Sequence, residues 1–490
     1  MNMTLGDLIP LTPLLLVTAT AVITMTLIGI RRSYPLTAGM TITGLLVTAI
    51  FAATMIGDTN AQVTPLMIVD HYSLFFIVVT CASALVIAVL SYPYLFSLND
   101  HKEEYYLLLG VATIGAVVMV SSNHFVSAIL GLETLSMSLY GMVAYTVHSK
   151  EAAKYPLEAA VKYLVLSAAA SGFILFGMAL VYAQTGTLSF TSLLESSNGG
   201  TPGLGAPYSI VALLLIFAGV AFKLSLAPFH LWTPDVYEGS PLPATTYLAT
   251  IGKAGMFVVL LRFIEASDAL SFESVVTVLS LIAAASILGG NLLALLQENL
   301  KRILAYSSIA HMGYILIAII ASYYSEGTVS IEAVTFYLLA YMVMSLGVFG
   351  VASVVSSSEK EFDVVADYQG LFWRDPWLAV IFTGMLLSLA GIPLTVGFIG
   401  KFYLFYAGVE GALWVLLSVL IIGSGIGLYY YLRIVYRMVL PAPEQVSFRV
   451  GGMESFSAYG VLFILLLLLL VLGVYPAPVM ALIESIAAYV

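Results

Sequence analysis

Long, uninterrupted apolar runs constrain this chain more than any other feature of its sequence. A helix needs about 20 apolar residues to cross the ~30 Å hydrocarbon core of a bilayer. We count 14 such runs, near residues 10–30, 35–57, 71–96, 105–122, 124–148, 158–184, 206–237, 241–265, 273–297, 299–322, 329–355, 376–408, 411–440 and 458–480. They are continuous and too long for membrane-barrel strands. The sequence therefore predicts an all-α polytopic membrane protein with 14 transmembrane helices, which we number as spans 1 to 14.

The composition excludes several other classes of protein. Charged residues make up 9% of the chain, whereas soluble domains carry roughly 25%. The net charge of −10 and the absence of a basic stripe argue against nucleic-acid binding. A single cysteine, Cys81, excludes a disulfide framework and any iron–sulfur cluster held by this chain alone. The first run has no basic segment before it, so we interpret it as a membrane helix rather than a cleaved signal.

The lysine and arginine residues between the spans predict the orientation in the membrane. The odd-numbered loops hold Arg31, Arg32, Lys102, Lys150, Lys154, Lys301, Arg302, Lys360, Arg374, Arg433, Arg437 and Arg449. The even-numbered loops hold none, apart from Arg262 at the end of span 8. Because cytoplasmic loops carry the excess of basic residues, the odd loops should face the cytoplasm and both termini the periplasm.

Five charged residues remain inside the predicted membrane helices: Glu133, Lys162, Lys223, Lys253 and Lys401. A charge at the centre of a membrane helix costs ~2.5–3.5 kcal/mol on insertion scales. Groups this costly are expected to face the bundle interior or water, to pair with one another, and to mark an ion pathway.

Spans 7 and 12 are too long for single straight helices and each contains a proline, Pro228 and Pro393. Their flanks are similar, Ser225–Pro228 and Ser388–Pro393, and a lysine lies close to each proline. Two broken helices of opposite direction indicate an inverted repeat. We therefore divide the chain into spans 1–3 (residues 1–98), a first repeat of spans 4–8 (105–265), a second, inverted repeat of spans 9–13 (273–440), and span 14 with the C-terminus (455–490).

A row of titratable side chains across the membrane is suited to proton transfer. Burial disfavours the charged form of a lysine, and a nearby carboxylate favours it. We predict a relay along the membrane midplane, with Glu133 as the partner of Lys223, made up of Glu133, Lys223, Lys253, His311 and Lys401. The alternative for Lys223, Lys253 and Lys401 is a structural ion pair or a side chain that extends its amine to the membrane surface. The alternative for Glu133 is a salt bridge that only packs helices, and for His311 it is a hydrogen-bonded packing role.

Three further residues are weaker candidates for the relay. Lys162 follows Glu158 by four residues, so a local ion pair explains it equally well. His230 comes just after Pro228 and is either a relay or a packing residue. Asp235, with Glu238, either caps a loop or forms a funnel that leads protons inward.

At these residues the chain resembles a known family. The matching segments are Gly131–Glu133, Ala221–Ser225, Phe229–Gly239, Ala305–Tyr314, Gly391–Pro393 and Gly397–Phe402. They are similar to segments of subunit N of bacterial proton-pumping NADH:quinone oxidoreductase (respiratory complex I), an antiporter-like subunit of the membrane arm. The resemblance covers essentially the whole chain.

The resemblance implies a proton-translocating subunit of the bacterial inner membrane that binds no redox cofactor. NADH, FMN, the iron–sulfur clusters and quinone would be handled by other subunits. The implied partners are the sister subunit M and small chains of the subunit K type. Glu133 and Lys223 would form an ion pair, Lys253 would be the connecting lysine, and Lys401 the terminal lysine of the second half-channel.

Two other functions stay open. Multisubunit cation/proton antiporters, like sister subunits L and M, usually carry a histidine-containing run in span 8, where this chain has Leu248–Lys253. Co-purification with flavin and iron–sulfur subunits would separate complex I from an antiporter. A quinol oxidoreductase that holds its own haem would show a Soret absorbance band in the purified chain.

Overall fold

Helices dominate the chain in the computed structural model, which describes residues 5–57, 59, 61–98, 101–147, 155–193, 207–324, 328–442 and 455–489. The first group is α1 (Thr12–Ile30), α2 (Tyr34–Met55), α3 (His71–Leu95), α4 (Glu104–Val120), α5 (Phe125–Val143), α6 (Pro156–Thr185), α7 (Pro207–Lys223), α8 (Trp232–Gly239), α9 (Leu242–Ala249) and α10 (Ile251–Ser267). The second group is α11 (Glu273–Leu295), α12 (Leu300–Ala321), α13 (Val329–Val355), α14 (Leu371–Arg374), α15 (Pro376–Ala390), α16 (Val396–Glu410), α17 (Trp414–Val439), α18 (Phe456–Val474) and α19 (Ala477–Ala487).

The predicted helical membrane fold is confirmed. Among the described residues, 11 helices are long and apolar enough to cross a membrane by length and composition. Each predicted run coincides with one helix or with two consecutive ones. Helices α4, α7 and α15 are shorter, with 17, 17 and 15 residues, so the total of 14 spans stays a prediction.

A two-stranded hairpin corrects the expectation that the chain contains helices alone. Strands β1 (Ala61–Thr64) and β2 (Met67–Val69) pair antiparallel between α2 and α3. Pro65 and Leu66 form the two-residue connection. Residues 61–69 are too few to cross a bilayer and are interrupted by Gln62, Thr64 and Pro65, so a search for long apolar runs passes over them.

The loops meet in two groups, at opposite ends of the bundle. At one end, which we call the hairpin end, backbone bridges join Met67 to Ser122 and His124 to Ser189. At the other end, a bridge joins Asn299 to Val364, and the Lys301 amine bonds the Ser240 carbonyl. This grouping follows the predicted alternation of the loops. Lys150, Lys154 and Arg449 lie outside the described residues, and the orientation of the termini stays a prediction.

Spans 7 and 12 are broken as predicted, into α7 with α8 and α15 with α16. Span 8 is broken as well, which the sequence analysis did not predict. Thr250 separates α9 from α10 with φ −113° and ψ −82°. No proline or glycine stands at this residue, so the usual sequence signals of a break are absent.

Small residues let neighbouring helices approach closely in both predicted repeats. A Cβ atom on Gly115 of α4 would lie 2.6 Å from the carbonyl oxygen of Gly131 on α5. A Cβ atom on Gly290 of α11 would lie 2.7 Å from the carbonyl oxygen of Tyr306 on α12. Backbone contact of this kind is how membrane helices pack through small residues, and it positions the charged side chains of α5 and α12.

Candidate functional site

Lys223 ends α7 with its amine directed between α5 and α6. The side chain is buried, and Nζ donates hydrogen bonds to Ser136 Oγ at 3.1 Å and Ser167 Oγ at 2.6 Å. Tyr140 Oη donates to the same Ser167 Oγ at 2.9 Å. The hydrogen-bond partners of the amine are therefore neutral hydroxyls.

Glu133 is not in direct contact with Lys223, contrary to the predicted ion pair. Its Oε1 accepts a hydrogen bond from Ser171 Oγ at 2.5 Å, and the two charged groups form no ion pair among the described residues. Both groups use the same two helices: Ser136 is one turn from Glu133 on α5, and Ser167 one turn from Ser171 on α6. Hydroxyls satisfy each charge separately, which leaves their interaction at longer range.

Lys253 lies on α10 and is 1% exposed. Its Nζ donates to Ser308 Oγ at 2.5 Å, and Ser308 Oγ shares a second hydrogen bond of 2.5 Å with Tyr341 Oη. The amine also stands 5.9 Å from the centre of the Tyr237 ring. Cation–π attraction and hydroxyl contacts together hold this charge inside the bundle.

His311 lies one turn after Ser308 on α12, and both of its ring nitrogens have hydroxyl partners. Nδ1 is 2.7 Å from Tyr337 Oη, and Nε2 is 3.3 Å from Tyr431 Oη. Tyr431 is in turn hydrogen-bonded to Ser307. The ring thus occupies a continuous group of hydroxyls, as either a relay or a packing histidine would.

Lys401 of α16 folds back onto the end of α15. Its Nζ donates to the carbonyl oxygens of Leu389 at 3.0 Å and Ala390 at 2.8 Å, and to Ser424 Oγ at 2.9 Å. The last carbonyls of a helix lack intrahelical partners and carry partial negative charge. A broken helix brings such an end into the membrane, and here the lysine amine binds it.

Helix α12 connects three of the predicted site residues, Lys253, His311 and Lys401. Ser308, His311 and Tyr314 follow at intervals of three residues along it. Lys253 contacts Ser308, the His311 and Tyr314 rings are 5.6 Å apart, and Lys401 Nζ stands 5.4 Å from the Tyr314 ring. Lys253, His311 and Lys401 therefore belong to one set, while Glu133 and Lys223 form another with no hydrogen bond to it among the described residues.

The breaks in spans 7 and 12 have matching backbone geometry. Helix α7 ends with Leu226 N bonded to Ala221 O at 2.8 Å, and α15 with Ile392 N bonded to Leu387 O at 3.0 Å. These are the six-to-one bonds of a Schellman motif, in which the preceding residue is left-handed. That residue is Ser225, with φ +63°, in one break and Gly391, with φ +88°, in the other. The similar flanks pair Ser225 with Ser388 in sequence, whereas the structure makes Gly391 its equivalent.

Lys162 and Asp235 belong to a charged network at the end opposite the hairpin. Lys162 Nζ pairs with Glu158 at 2.7 Å and with Asp235 at 2.8 Å. Arg302 Nη1 pairs with Asp235 at 2.9 Å and with Glu238 at 2.8 Å. The local pair predicted for Lys162 is present together with a longer-range one. A cavity of 190 Å³ opens among Glu158, Lys162, Asp235 and Glu238.

His230 stands apart from the other predicted residues. It lies within the break between α7 and α8 and is half-buried, and its Nδ1 has no hydrogen-bond partner among the described residues. Nothing in the described structure connects it with the lysines.

Two buried ion pairs were missed by the sequence analysis. Lys301, predicted in an odd-numbered loop, pairs with Glu361 at 2.5 Å, and both side chains are 2% exposed. Arg262 pairs with Asp70 at 2.6 Å at the hairpin end. The partners are 60 positions apart in the chain in the first pair and 192 positions apart in the second. No local signal in the sequence indicates such a pairing.

An apolar pocket of 30 Å³ lies among α4, α5, α6, α7 and α10, between Glu133 and the hairpin end. Every residue that lines it is apolar, and they include Met119, Leu132, Ile174, Val220, Met256 and Phe263. Cavities without polar partners stay dry. This pocket therefore offers no polar group to a water molecule.

A family model described as "NADH:quinone oxidoreductase/Mrp antiporter, TM" matches residues 122–427. A chain of respiratory complex I from Thermus thermophilus with bound aureothin is similar, with 33% identity and a TM-score of 0.80 over 96% of this chain and 98% of that one.

Two further solved structures share the fold. A chain of an archaeal membrane-bound sulfane sulfur reductase has 24% identity and a TM-score of 0.83, over 98% of this chain and 97% of that one. A chain of the Mrp complex from Dietzia sp. DQ12-45-1b has 20% identity and a TM-score of 0.85, over 99% and 97%.

Proposed function

Because the chain belongs to the NADH:quinone oxidoreductase/Mrp antiporter transmembrane family, we propose that it is the proton-translocating subunit N of a complex I membrane arm. It works in a bacterial inner membrane with both termini on the periplasmic side, beside a subunit M and small chains of the subunit K type. The chain binds no redox cofactor of its own. NADH, FMN, iron–sulfur clusters and quinone are handled by other subunits, whose electron transfer drives the protons.

One observation carries the proposal: the partners of the three central lysines are neutral. Lys223, Lys253 and Lys401 donate to hydroxyls and carbonyls, and no carboxylate pairs with them among the described residues. Lys301 and Arg262, by contrast, are held by buried carboxylates.

The kind of partner distinguishes a lysine that is able to release its proton from a residue whose charge is fixed. A lysine in a buried ion pair leaves an uncompensated carboxylate when it loses its proton, which is strongly unfavourable. A lysine that donates to neutral oxygens becomes a neutral amine among neutral groups. The three central lysines are therefore suited to repeated protonation, and Glu133 acts on Lys223 through its field rather than by direct contact.

The proposed function is tested by proton uptake driven by NADH in membrane vesicles that contain the assembled complex. Lys223→Ala, Lys253→Ala and Lys401→Ala should each lose most of the uptake. Lys360→Ala, at an exposed lysine, is the matched control and should pump normally. Normal uptake in a fully assembled Lys223→Ala complex would show that this lysine is structural.

A cation/proton antiporter subunit is the second candidate, supported by the fold shared with the Mrp complex chain. The chain purified in mild detergent should bring flavin and iron–sulfur subunits with it if it serves complex I. Sodium/proton exchange by vesicles without NADH, together with absence of those subunits, would favour the antiporter.

A further inference from the structure

Helix α8 connects the charged cavity with the interior of the bundle. Asp235 and Glu238 on this helix line the 190 Å³ cavity, which is large enough for several water molecules. Tyr237, which precedes Glu238, is instead 0% exposed. Adjacent residues of one short helix thus reach the polar cavity and the buried site.

The Tyr237 side chain leads toward Lys253. Its ring centre is 5.9 Å from Lys253 Nζ. Its hydroxyl makes no hydrogen bond among the described residues, although Ser308 is its polar neighbour. A buried hydroxyl without a partner is rare and needs an explanation.

Ser308 completes the connection. Its Oγ accepts from Lys253 Nζ at 2.5 Å and is hydrogen-bonded to Tyr341 Oη at 2.5 Å. A hydroxyl both donates and accepts hydrogen bonds, so it is able to receive a proton on one side while it releases another. Tyr237, on the helix that borders the cavity, and Ser308 are thus two hydroxyl-bearing residues close to the Lys253 amine.

We propose that protons reach Lys253 from the charged cavity through the hydroxyls of Tyr237 and Ser308. A hydrated proton in the cavity gives a proton to Tyr237 Oη and becomes water. Tyr237 passes its own proton to Ser308 Oγ, and Ser308 passes its proton to the neutral Lys253 amine. Both hydroxyls are neutral before and after, and the positive charge has moved to Lys253. This route rests on the proposed function, since it assumes that Lys253 carries protons.

The network at the cavity sets the charge along the route. Lys162 and Arg302 form ion pairs with Glu158, Asp235 and Glu238. The network therefore contains three acidic and two basic groups. The excess negative charge favours a hydrated proton in the cavity over an anion. The network therefore concentrates protons at the start of the route.

Tyr237→Phe in the assembled complex tests the route, because phenylalanine keeps the ring and removes the hydroxyl alone. NADH-driven proton uptake should fall at least about tenfold, on the scale of a lost proton-transfer group. Lowering the pH on the cavity side should restore part of the rate, since delivery is limiting, whereas a packing defect would not respond. Tyr72→Phe is the matched control: Tyr72 is 0% exposed, bonds Thr335 Oγ1 at 3.0 Å, and should pump normally.

The outcomes separate the two proposals. If Lys253→Ala abolishes uptake while Tyr237→Phe pumps at the wild-type rate, the route is wrong and the proposed function stands. If assembled Lys253→Ala pumps normally, the proposed function itself fails for that lysine. If Tyr237→Phe does not assemble, Ser308→Ala takes its place, and normal uptake in that variant overturns the route.

Discussion

Lys401 and Arg433 bind the carbonyl ends of helices, yet they should respond differently to substitution. Lys401 Nζ bonds Leu389 O and Ala390 O at the end of α15, whereas Arg433 bonds Leu295 O at 3.1 Å and Gln297 O at 2.5 Å after α11. Both cations stabilise a helix end. Arginine is not deprotonated in proteins, so only the lysine is able to release its proton.

Lys401→Arg should therefore assemble and fail to pump. The arginine keeps the positive charge at the α15 end but does not give up its proton, so NADH-driven uptake into vesicles should be lost. Arg433→Lys, the matched control, keeps a cation on α17 and should pump normally. Wild-type uptake in Lys401→Arg would mean that Lys401 is a fixed charge.

The lysines could be predicted from the sequence, but their partners could not. A charge inside a 20-residue apolar run is a local signal, and its cost makes a functional role the default interpretation. Ser136, Ser308 and Ser424 carry no such signal, because a hydroxyl is inexpensive in a helix and its role depends on which helix packs against it. The predicted contact between Glu133 and Lys223 failed for the same reason: serines on α5 and α6 bond each group instead.

At the scale of the helix, the two Schellman ends differ in one residue. Gly391 has φ +88°, and a Cβ there would lie 2.9 Å from Lys401 Cδ. Ser225 adopts φ +63° with a side chain, and its buried hydroxyl has no partner among the described residues. A non-glycine residue in this conformation costs roughly 1–2 kcal/mol.

Gly391→Ala should destabilise the complex by about that 1–2 kcal/mol and displace the Lys401 amine, so uptake should fall too. Ser225→Gly should be neutral or stabilising, because it relieves the same strain and removes an unsatisfied hydroxyl. The midpoint of thermal inactivation of the detergent-solubilised complex measures both. Equal midpoints for the two variants would contradict the assignment of strain to these ends.

The helix breaks could be predicted from the sequence only where a proline indicates them. Pro228 and Pro393 mark spans 7 and 12, because proline removes a backbone donor. Thr250 interrupts span 8 without such a residue. Its conformation depends on how α9 and α10 pack against their neighbours, which periodicity does not report.

Across the whole molecule, Glu361 joins distant parts of the bundle. It accepts from Lys301 at 2.5 Å, from Tyr94 Oη at 2.5 Å and from the Leu242 amide at 3.0 Å. These residues belong to α12, α3 and the start of α9. One carboxylate therefore fixes the helix that leads to Lys253 against both the second repeat and the first three helices.

Glu361→Ala should destabilise the complex by ~3–5 kcal/mol, because it leaves Lys301 buried and uncompensated. The double variant Glu361→Gln with Lys301→Met should recover most of this loss, since it removes the charge and keeps an acceptor for Leu242. Assembly yield and the thermal midpoint provide the measurement. Glu104→Ala, which breaks the more exposed pair with Arg32, should cost less than about 1 kcal/mol. A loss that small in Glu361→Ala would contradict the joining role.

The orientation in the membrane is a further prediction for the whole molecule. The basic residues of the odd loops predict both termini in the periplasm, so a reporter that is active only in the cytoplasm should be silent when fused after Val490. The same reporter inserted after Ser357, between spans 11 and 12, should be active. Strong activity of the C-terminal fusion would invert the arrangement.

The apolar pocket of the first repeat has an electrical consequence. A respiratory membrane holds a voltage, and each elementary charge that crosses it releases about 2.3 kcal/mol per 100 mV. A continuous column of water from the charged cavity to the hairpin end would let protons flow back along that gradient. Met119, Leu132 and Phe263 line the apolar pocket between Glu133 and that end. An apolar pocket of this kind does not favour water, so it opposes leakage of protons along this part of the first repeat.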